Sequence, residues 1–313
     1  MDIKFWGVRG SIPTPITPAQ LESKIAAVVQ RITPEDVQNT KTRQAFMSGL
    51  PDSIINTIGG NTTCVEINLN DGTRIIIDAG TGIRELGHHL LKRKDKNHDF
   101  HLLFTHFHWD HVQGFPFFDP AYIPGNRIFF YSPQKDTESF LQEQMKFPYY
   151  PVTMEVMGAE KKYLTIPEGD FKIGSATISW RRMKHPGGSI SYKIQEEDKS
   201  FIFSTDTELQ NRDFEKSEAN RRFYEDADIL VMDSQYTLDE AIEKYDWGHT
   251  SYSLAVDFAA VWNIPKLGLF HHEPKYEDNK IYSILNSAKW YLSHQDNSNI
   301  EIFLATEGLE LSL

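Results

Sequence analysis

Cysteine is nearly absent: Cys64 is the only one in 313 residues. No disulfide can form within the chain, so stability must come from packing, and the count fits a reducing cytoplasm. Long apolar runs are missing too. No stretch of about 18 apolar residues occurs, which argues against a membrane-spanning helix. The opening MDIKFWGVRGS has an acidic second residue and no apolar run before a small-residue cleavage site, unlike a secretory signal. Net positive charge is also lacking. At −12, the chain is poorly suited to grip extended nucleic acid or an anionic membrane, because each phosphate must be met by local lysine or arginine. Core material, by contrast, is plentiful. The chain is 40% hydrophobic and 24% charged, with aromatics at 12%, so disorder is not expected. No internal repeat, low-complexity tract or Pro/Gly linker divides it, and residues 1–313 are expected to form one domain.

The pattern mixes strands and helices. IKFWGV reads as a strand, broken by Gly7, Gly10 and Pro13. Residues 14–58 have a different texture: an amphipathic helix over Ala19–Ile32, then a second helix start at Thr33-Pro34-Glu35-Asp36. They are predicted to form a helical insertion or lid. Asn70-Asp71-Gly72 marks a hairpin between Thr62–Leu69 and Thr73–Asp78. A helix to about Lys92 follows Gly80-Thr81-Gly82. Further strands are expected at Phe100–Thr105, Arg127–Tyr131, Ala176–Met183, Ser189–Gln195, Ser200–Ser204, Ile229–Met232, Lys266–Phe270 and Ile300–Leu304. Helices are expected at Thr137–Lys146, Phe214–Tyr224, Ser251–Trp262 and Glu277–Ser293. Such an order suits two sheets packed face to face with helices outside. The aromatic- and proline-rich stretch from Phe115 to Tyr163 reads as loop material, either walling a pocket or packing a surface corner.

The chemistry concentrates in Leu102-Leu103-Phe104-Thr105-His106-Phe107-His108-Trp109-Asp110-His111. A hydrophobic strand runs out at Thr105 and four potential metal ligands follow within six residues. Imidazole suits borderline divalent metals and carboxylate is a usable oxygen ligand. Alternation puts His106 and His108 on one side, within reach of one ion. Asp110 and His111 fall where the chain turns into a helix, within reach of a second. Solvated histidines beside an N-capping aspartate would be the bland explanation, and four ligand types directly after a buried strand disfavour it. His185, Asp206 and His271 each follow another apolar strand. If the sheets present the same edge, all seven converge.

Those residues resemble, in order, the HxHxDH motif and remaining ligand positions of the metallo-β-lactamase superfamily, from IKFWGVRG to nearly the C-terminus. The resemblance implies an α/β fold, a four-layer αββα sandwich with the helical insertion after the first strand. It also implies a hydrolase holding two divalent metal ions, zinc first, with manganese or iron also accepted. Carried over by position, His106, His108 and His185 would hold one ion. Asp110, His111 and His271 would hold the other, and Asp206 would bridge both. Asp78, in IIIDAGTG, matches the family's buried acidic residue and would orient a ligand histidine. His272 competes with His271, and the strand ends favour His271. Glu273 could face the site, but solvent is its expected surrounding.

The branch rests on a second segment. Trp247-Gly248-His249-Thr250-Ser251-Tyr252 resembles the GHST-type segment of tRNase Z and related cyclic-phosphate phosphodiesterases, with Asp233 upstream to pair with His249. The start FWGVRGS, with Gly59-Gly60-Asn61-Thr62, is similar to a bacterial subgroup of the superfamily. A metal-bridging hydroxide would attack a small phosphodiester such as a cyclic nucleotide, with Asp110, His249 and Asp233 as the catalytic residues. His249 beside an ordinary Thr250 or Ser251 helix cap is the plainer alternative. Arg181, Arg182 and Lys184 flank His185 and could form an anion pocket. A lactone, ester or thioester hydrolase would need an apolar acyl pocket, for which Phe115, Phe117, Phe118, Tyr149 and Tyr150 are available. A metal-bound nucleotide sensor without turnover is a third possibility. Relatives with this site commonly dimerise, so a homodimer is expected.

Overall fold

Ile75 and Ile77 face one side of a strand and Ile76 the other, and all three are buried. A strand covered on both faces needs a layer on each side, and the chain supplies both. The computed structural model describes residues 1–93, 98–295 and 299–313. Among them, the first half contributes strands β1 (Asp2–Gly7), β2 (Cys64–Asn68), β3 (Arg74–Ile77), β4 (Asp99–Leu103), β5 (Arg127–Ser132) and β6 (Glu160–Thr165). The second half contributes β7 (Phe171–Ile173), β8 (Ala176–Met183), β9 (Ser189–Glu196), β10 (Lys199–Ser204), β11 (Ile229–Asp233), β12 (Lys266–Phe270), β13 (Glu301–Leu304) and β14 (Glu310–Ser312).

Two seven-stranded sheets result, in the orders β14-β1-β2-β3-β4-β5-β6 and β13-β12-β11-β10-β9-β8-β7. Each is mixed in the same way. Strands β3 to β6 run parallel, as do β10 to β13, and the remaining pairs are antiparallel. Ile3, Phe5, Ile75, Ile77 and Leu103 of one sheet share a core with Tyr192, Phe203, Val231 and Leu269 of the other. Ile76, Leu102 and Phe130 point outward, under the helix Gly82–Arg93 and its Ile83, Leu86 and Leu90. Helices Tyr252–Val261 and Asp278–Leu292 cover the second sheet. This is the expected four-layer sandwich. No helix among the described residues is long and apolar enough to cross a membrane.

Residues 14–58 form the expected helical insertion, with one correction. The first helix spans Pro18–Val29, but the second begins at Thr40, not at Thr33. The Asp36 carboxylate accepts both the amide and the hydroxyl of Thr33 at 2.9 Å, closing a turn instead of opening a helix. Asn39 caps the helix Thr40–Ser48 by accepting the Thr42 amide. The insertion docks beside residues 274–279, where Lys24 Nζ meets Asp278 at 3.1 Å. The predicted helix Phe214–Tyr224 is two short ones, Asn211–Phe214 and Glu218–Tyr224.

The stretch from Phe115 to Tyr163 also differs from the loop expected. Phe115 and Phe118 are core residues against Phe130 and Phe100, and strand β6 begins at Glu160, while the helix expected from Thr137 is present as Thr137–Gln144.

Candidate metal centre

Parallel strands end at one edge of each sheet, and the residues that follow them meet there. Strand β3 runs into Asp78, β4 into Thr105-His106, β10 into Thr205-Asp206, β11 ends on Asp233, and β12 runs into His271. Asp78, Asp206 and His271 all leave their strands with positive φ, at 59°, 47° and 60°. Non-glycine residues rarely adopt that backbone except where surroundings enforce it, and here it turns Asp206 and His271 into one cleft and sets Asp78 behind His111. The short helix Trp109–Val112 brings Asp110 and His111 inward, both buried.

All seven predicted ligand residues come together. His106, His108, His185 and Asp206 form one group, and Asp110, His111, Asp206 and His271 another, each with its donor atoms within 4.8 Å of one another. Asp206 belongs to both, one oxygen to each. Its Oδ2 lies 3.7 Å from His106 Nε2 and 3.6 Å from His185 Nε2. Its Oδ1 lies 3.1 Å from His111 Nε2 and 3.2 Å from His271 Nε2. Asp110 Oδ2 completes the second group, 3.3 Å from His111 Nε2 and 3.2 Å from His271 Nε2. Ligands about 2.0–2.1 Å from a tetrahedral ion stand about 3.3 Å apart, so these spacings suit a metal shell.

The opposite ring nitrogens are tied down. His111 Nδ1–H donates to Asp78 Oδ2 at 2.8 Å, His185 Nδ1–H to the Gly248 carbonyl at 2.9 Å, and His271 Nδ1–H to Gln235 Oε1 at 3.1 Å. The Thr105 hydroxyl lies 3.1 Å from His106 Nδ1 and donates to Asp78 Oδ2 at 2.7 Å. The inward Nε2 atoms of His106 and His111 are buried without any hydrogen-bond partner. Such orphaned polar atoms are costly in a folded protein unless something else fills the role, and a divalent cation does so. The residues therefore fit a metal.

Electrostatics agree. Burial would raise the Asp206 carboxyl, but the imidazoles of His271, His111 and His106 hold it well below the ordinary range. Asp110 is likewise held down, against burial, by His111 and His271. Burial opposes a charge on His271, yet Asp206, Asp110 and Asp233 push it up to about 9. His106, His108 and His185 are lowered by burial, which favours the neutral imidazole that coordinates.

Beside this centre, His249 Nδ1–H donates to Asp233 Oδ2 at 2.7 Å. The His249 ring stacks on His271 with centroids 5.0 Å apart and meets His185 edge-on at 5.2 Å. Asp233 is fully buried, and it also accepts amides from Thr207, Thr250 and Gln235. The predicted pair is thus assembled. The helix-cap alternative is present as well: Ser251 caps Tyr252–Val261 through the Leu254 amide, which leaves His249 free.

His271, the favoured one of the adjacent pair, faces the centre and His272 does not, while other expectations need correcting. His272 turns away, its Nε2 against the Ala305 carbonyl at 2.8 Å, and burial lowers it to about 3. Glu273 is not solvated; it is buried and accepts Gln235 Nε2 at 2.8 Å. Of the three basic residues near His185, two are spent on ion pairs, and only Arg182 reaches a cavity beside His106 and His108. Arg181 pairs with Asn220 and Asp213, Arg182 lies over the Trp180 ring, and Lys184 is held by Glu208 and Asp246. Phe115, Phe117, Phe118, Tyr149 and Tyr150 do not line the cleft over the centre, which has a volume of about 470 Å³ and is walled by Phe107, Trp109, Pro186 and Trp247.

Sequence reasoning missed three contributors. Gln235 works as a neutral amide, Gly248 through a carbonyl, and Ser11 through an amide that donates to Asp110 Oδ2 at 2.8 Å. None has a side chain that signals a metal site, although Gly248 lies in the segment around His249, Ser11 closes FWGVRGS and Gln235 is two residues from Asp233.

Residues 73–272 match the family model of the β-lactamase superfamily domain. A ribonuclease Z from Prochlorococcus marinus is 23% identical, over 69% of this chain and 84% of its own. Among solved structures, the metallo-β-lactamase fold protein YhfI from Bacillus subtilis aligns with a TM-score of 0.64 at 15% identity, covering 99% of this chain and 98% of that one. The short form of human tRNase Z aligns at 0.59 and 15% identity, over 100% and 99%. With that match over most of its length and this His/Asp centre, the chain belongs to the metallo-β-lactamase superfamily of metal-dependent hydrolases.

Proposed function

We propose that the chain is a dinuclear metallohydrolase of small phosphodiesters, cyclic nucleotides among them. His106, His108 and His185 would hold one ion, Asp110, His111 and His271 the other, with Asp206 shared. Zinc suits the imidazole-rich set, and manganese or iron also fit histidine and carboxylate. Bound divalent ions supply Lewis acidity that lowers the pKa of water and offsets charge on phosphoryl oxygens.

One observation carries the phosphodiester choice: the buried Asp233 holds His249 by Nδ1–H, at 2.7 Å, against the rings of His271 and His185. That fixes the proton positions. Nδ1 donates to the carboxylate, and Nε2 is the atom left to hold or release a proton at a reacting oxygen. An alkoxide leaving from phosphorus needs such a donor. The ribonuclease Z relative is named for a phosphodiester substrate, which supports the same choice. Size is argued from charge. Neither lysine nor arginine lines the cleft, and the chain carries −12, so a long polyanion has little to hold it. The cytoplasm is the compartment this reading favours, on the single cysteine.

The test is a panel of bis-p-nitrophenyl phosphate, a lactone and a thioester, assayed with Zn²⁺ or Mn²⁺ and with Asp110→Ala as the blank. Turnover of the phosphodiester is expected. Turnover of the lactone alone, unaffected by His249→Ala, would overturn the proposal.

A further inference from the structure

Four of the six tryptophans have an evident partner. Trp6 packs on His89, Trp180 lies under Arg182, Trp290 packs on His294, and Trp262 is buried against Tyr224. Trp109 and Trp247 differ. They are 81% and 61% exposed, and among the described residues neither ring packs on another aromatic. Lys244 Nζ, 5.9 Å from the Trp247 ring, is the one contact of note. Both line the same cleft, over the metal centre.

Their positions are set by the centre itself. Trp109 sits between His108 and Asp110, at the start of a short helix, so the backbone that aims the ligands also aims the indole. Trp247 precedes Gly248, whose carbonyl holds His185, and His249, which is held by Asp233. Each indole is therefore pre-placed on a rigid frame, where a stacking platform works best. The rest of the cleft wall is imidazole, carboxylate, Ser11, Phe107 and Pro186, without lysine or arginine. Beyond the reacting phosphate, such a cleft selects a flat, uncharged ring.

We infer that Trp109 and Trp247 form a nucleobase subsite, so that the preferred substrate is a nucleotide phosphodiester and not a simple alkyl one. This rests on the phosphodiester reading above. Both indoles are specificity residues, and neither takes part in bond cleavage. Stacking is tolerant of base identity, because every base offers a π-face.

The experiment compares kcat/KM for thymidine 5′-(p-nitrophenyl phosphate) and methyl p-nitrophenyl phosphate, which share a leaving group. The wild-type enzyme is expected to prefer the nucleoside ester by about tenfold or more. Trp247→Ala and Trp109→Ala should each cut that preference by about fivefold, with Phe at either position restoring most of it. A preference unchanged by both alanine variants, or absent in the wild type, would overturn the subsite. If neither ester turns over, the phosphodiester reading fails, and binding then decides separately. Quenching of tryptophan fluorescence by thymidine 5′-monophosphate, lost in Trp247→Ala, would uphold the subsite; no quenching would end it.

Discussion

Asp78 accepts the Nδ1–H of His111 at 2.8 Å with both side chains wholly buried, and the same oxygen accepts the Thr105 hydroxyl that sits against His106. One carboxylate thus orients histidines of both metal groups, although it touches neither proposed ion. Burial raises the Asp78 carboxyl even against the pull of His111. Asp78→Asn keeps the shape but replaces a charged acceptor. It should weaken metal affinity by about 10–100-fold, measured by competition with a chelator of known affinity. An affinity equal to wild type would mean that the histidines are fixed by packing alone.

Metal loading should release protons. Burial resists a charge on His271, but Asp206 and its neighbours push the group up to about 9, and His111 is raised likewise by Asp206, Asp110 and Asp78. A base raised in this way carries its proton at neutral pH, and coordination must displace it. Apparent affinity is therefore expected to climb as pH rises from 7 toward about 9, where His271 gives up its proton. Calorimetry in buffers of different ionisation enthalpy reads the released protons directly. Zero release at pH 7 would contradict the assignment of both histidines as ligands.

Two glycines stand where a Cβ would strike a ligand ring. At Gly248, φ is +88° and a Cβ would lie 2.3 Å from His185 Nδ1; at Gly10 it would lie 2.5 Å from His271 Cε1. Gly248→Ala should then lower occupancy in the group containing His185, and Gly10→Ala in the group containing His271. Gly188 also has positive φ, at +82°, with nothing near its Cβ, so Gly188→Ala reports backbone strain alone. The strain is worth about 1 kcal/mol or more in a thermal melt. Metal analysis of the three purified variants separates the effects. Full occupancy in Gly10→Ala and Gly248→Ala would show that the rings can move aside.

The legible part of the site was the part written in side chains. His106 to His111 are adjacent in sequence because one strand end and one short helix serve both groups. His185, Asp206 and His271 were visible because apolar strands end just before them. Gln235 was not, since an amide oxygen holding His271 looks like any polar residue until the fold brings it there. Strands β6, β7 and β14 escaped notice for a related reason. They lie toward the sheet margins, and β6 reads EKKYLT, with little of the apolar run that marked β4. The anion pocket expected around His185 loses two of its three cations to charge pairing: Lys184 and Arg181 are taken by carboxylates more than 20 residues away in sequence.

The most direct test asks whether His249 gives a proton to a leaving oxygen. His249→Ala should be compared with wild type on two phosphodiesters, one expelling an alkoxide and one expelling p-nitrophenolate, which leaves without a proton. A loss of about 10²-fold or more is expected for the alkoxide substrate, and a much smaller one for the p-nitrophenyl ester. Equal losses on both would contradict the role given to His249, with Asp233 merely holding a structural imidazole.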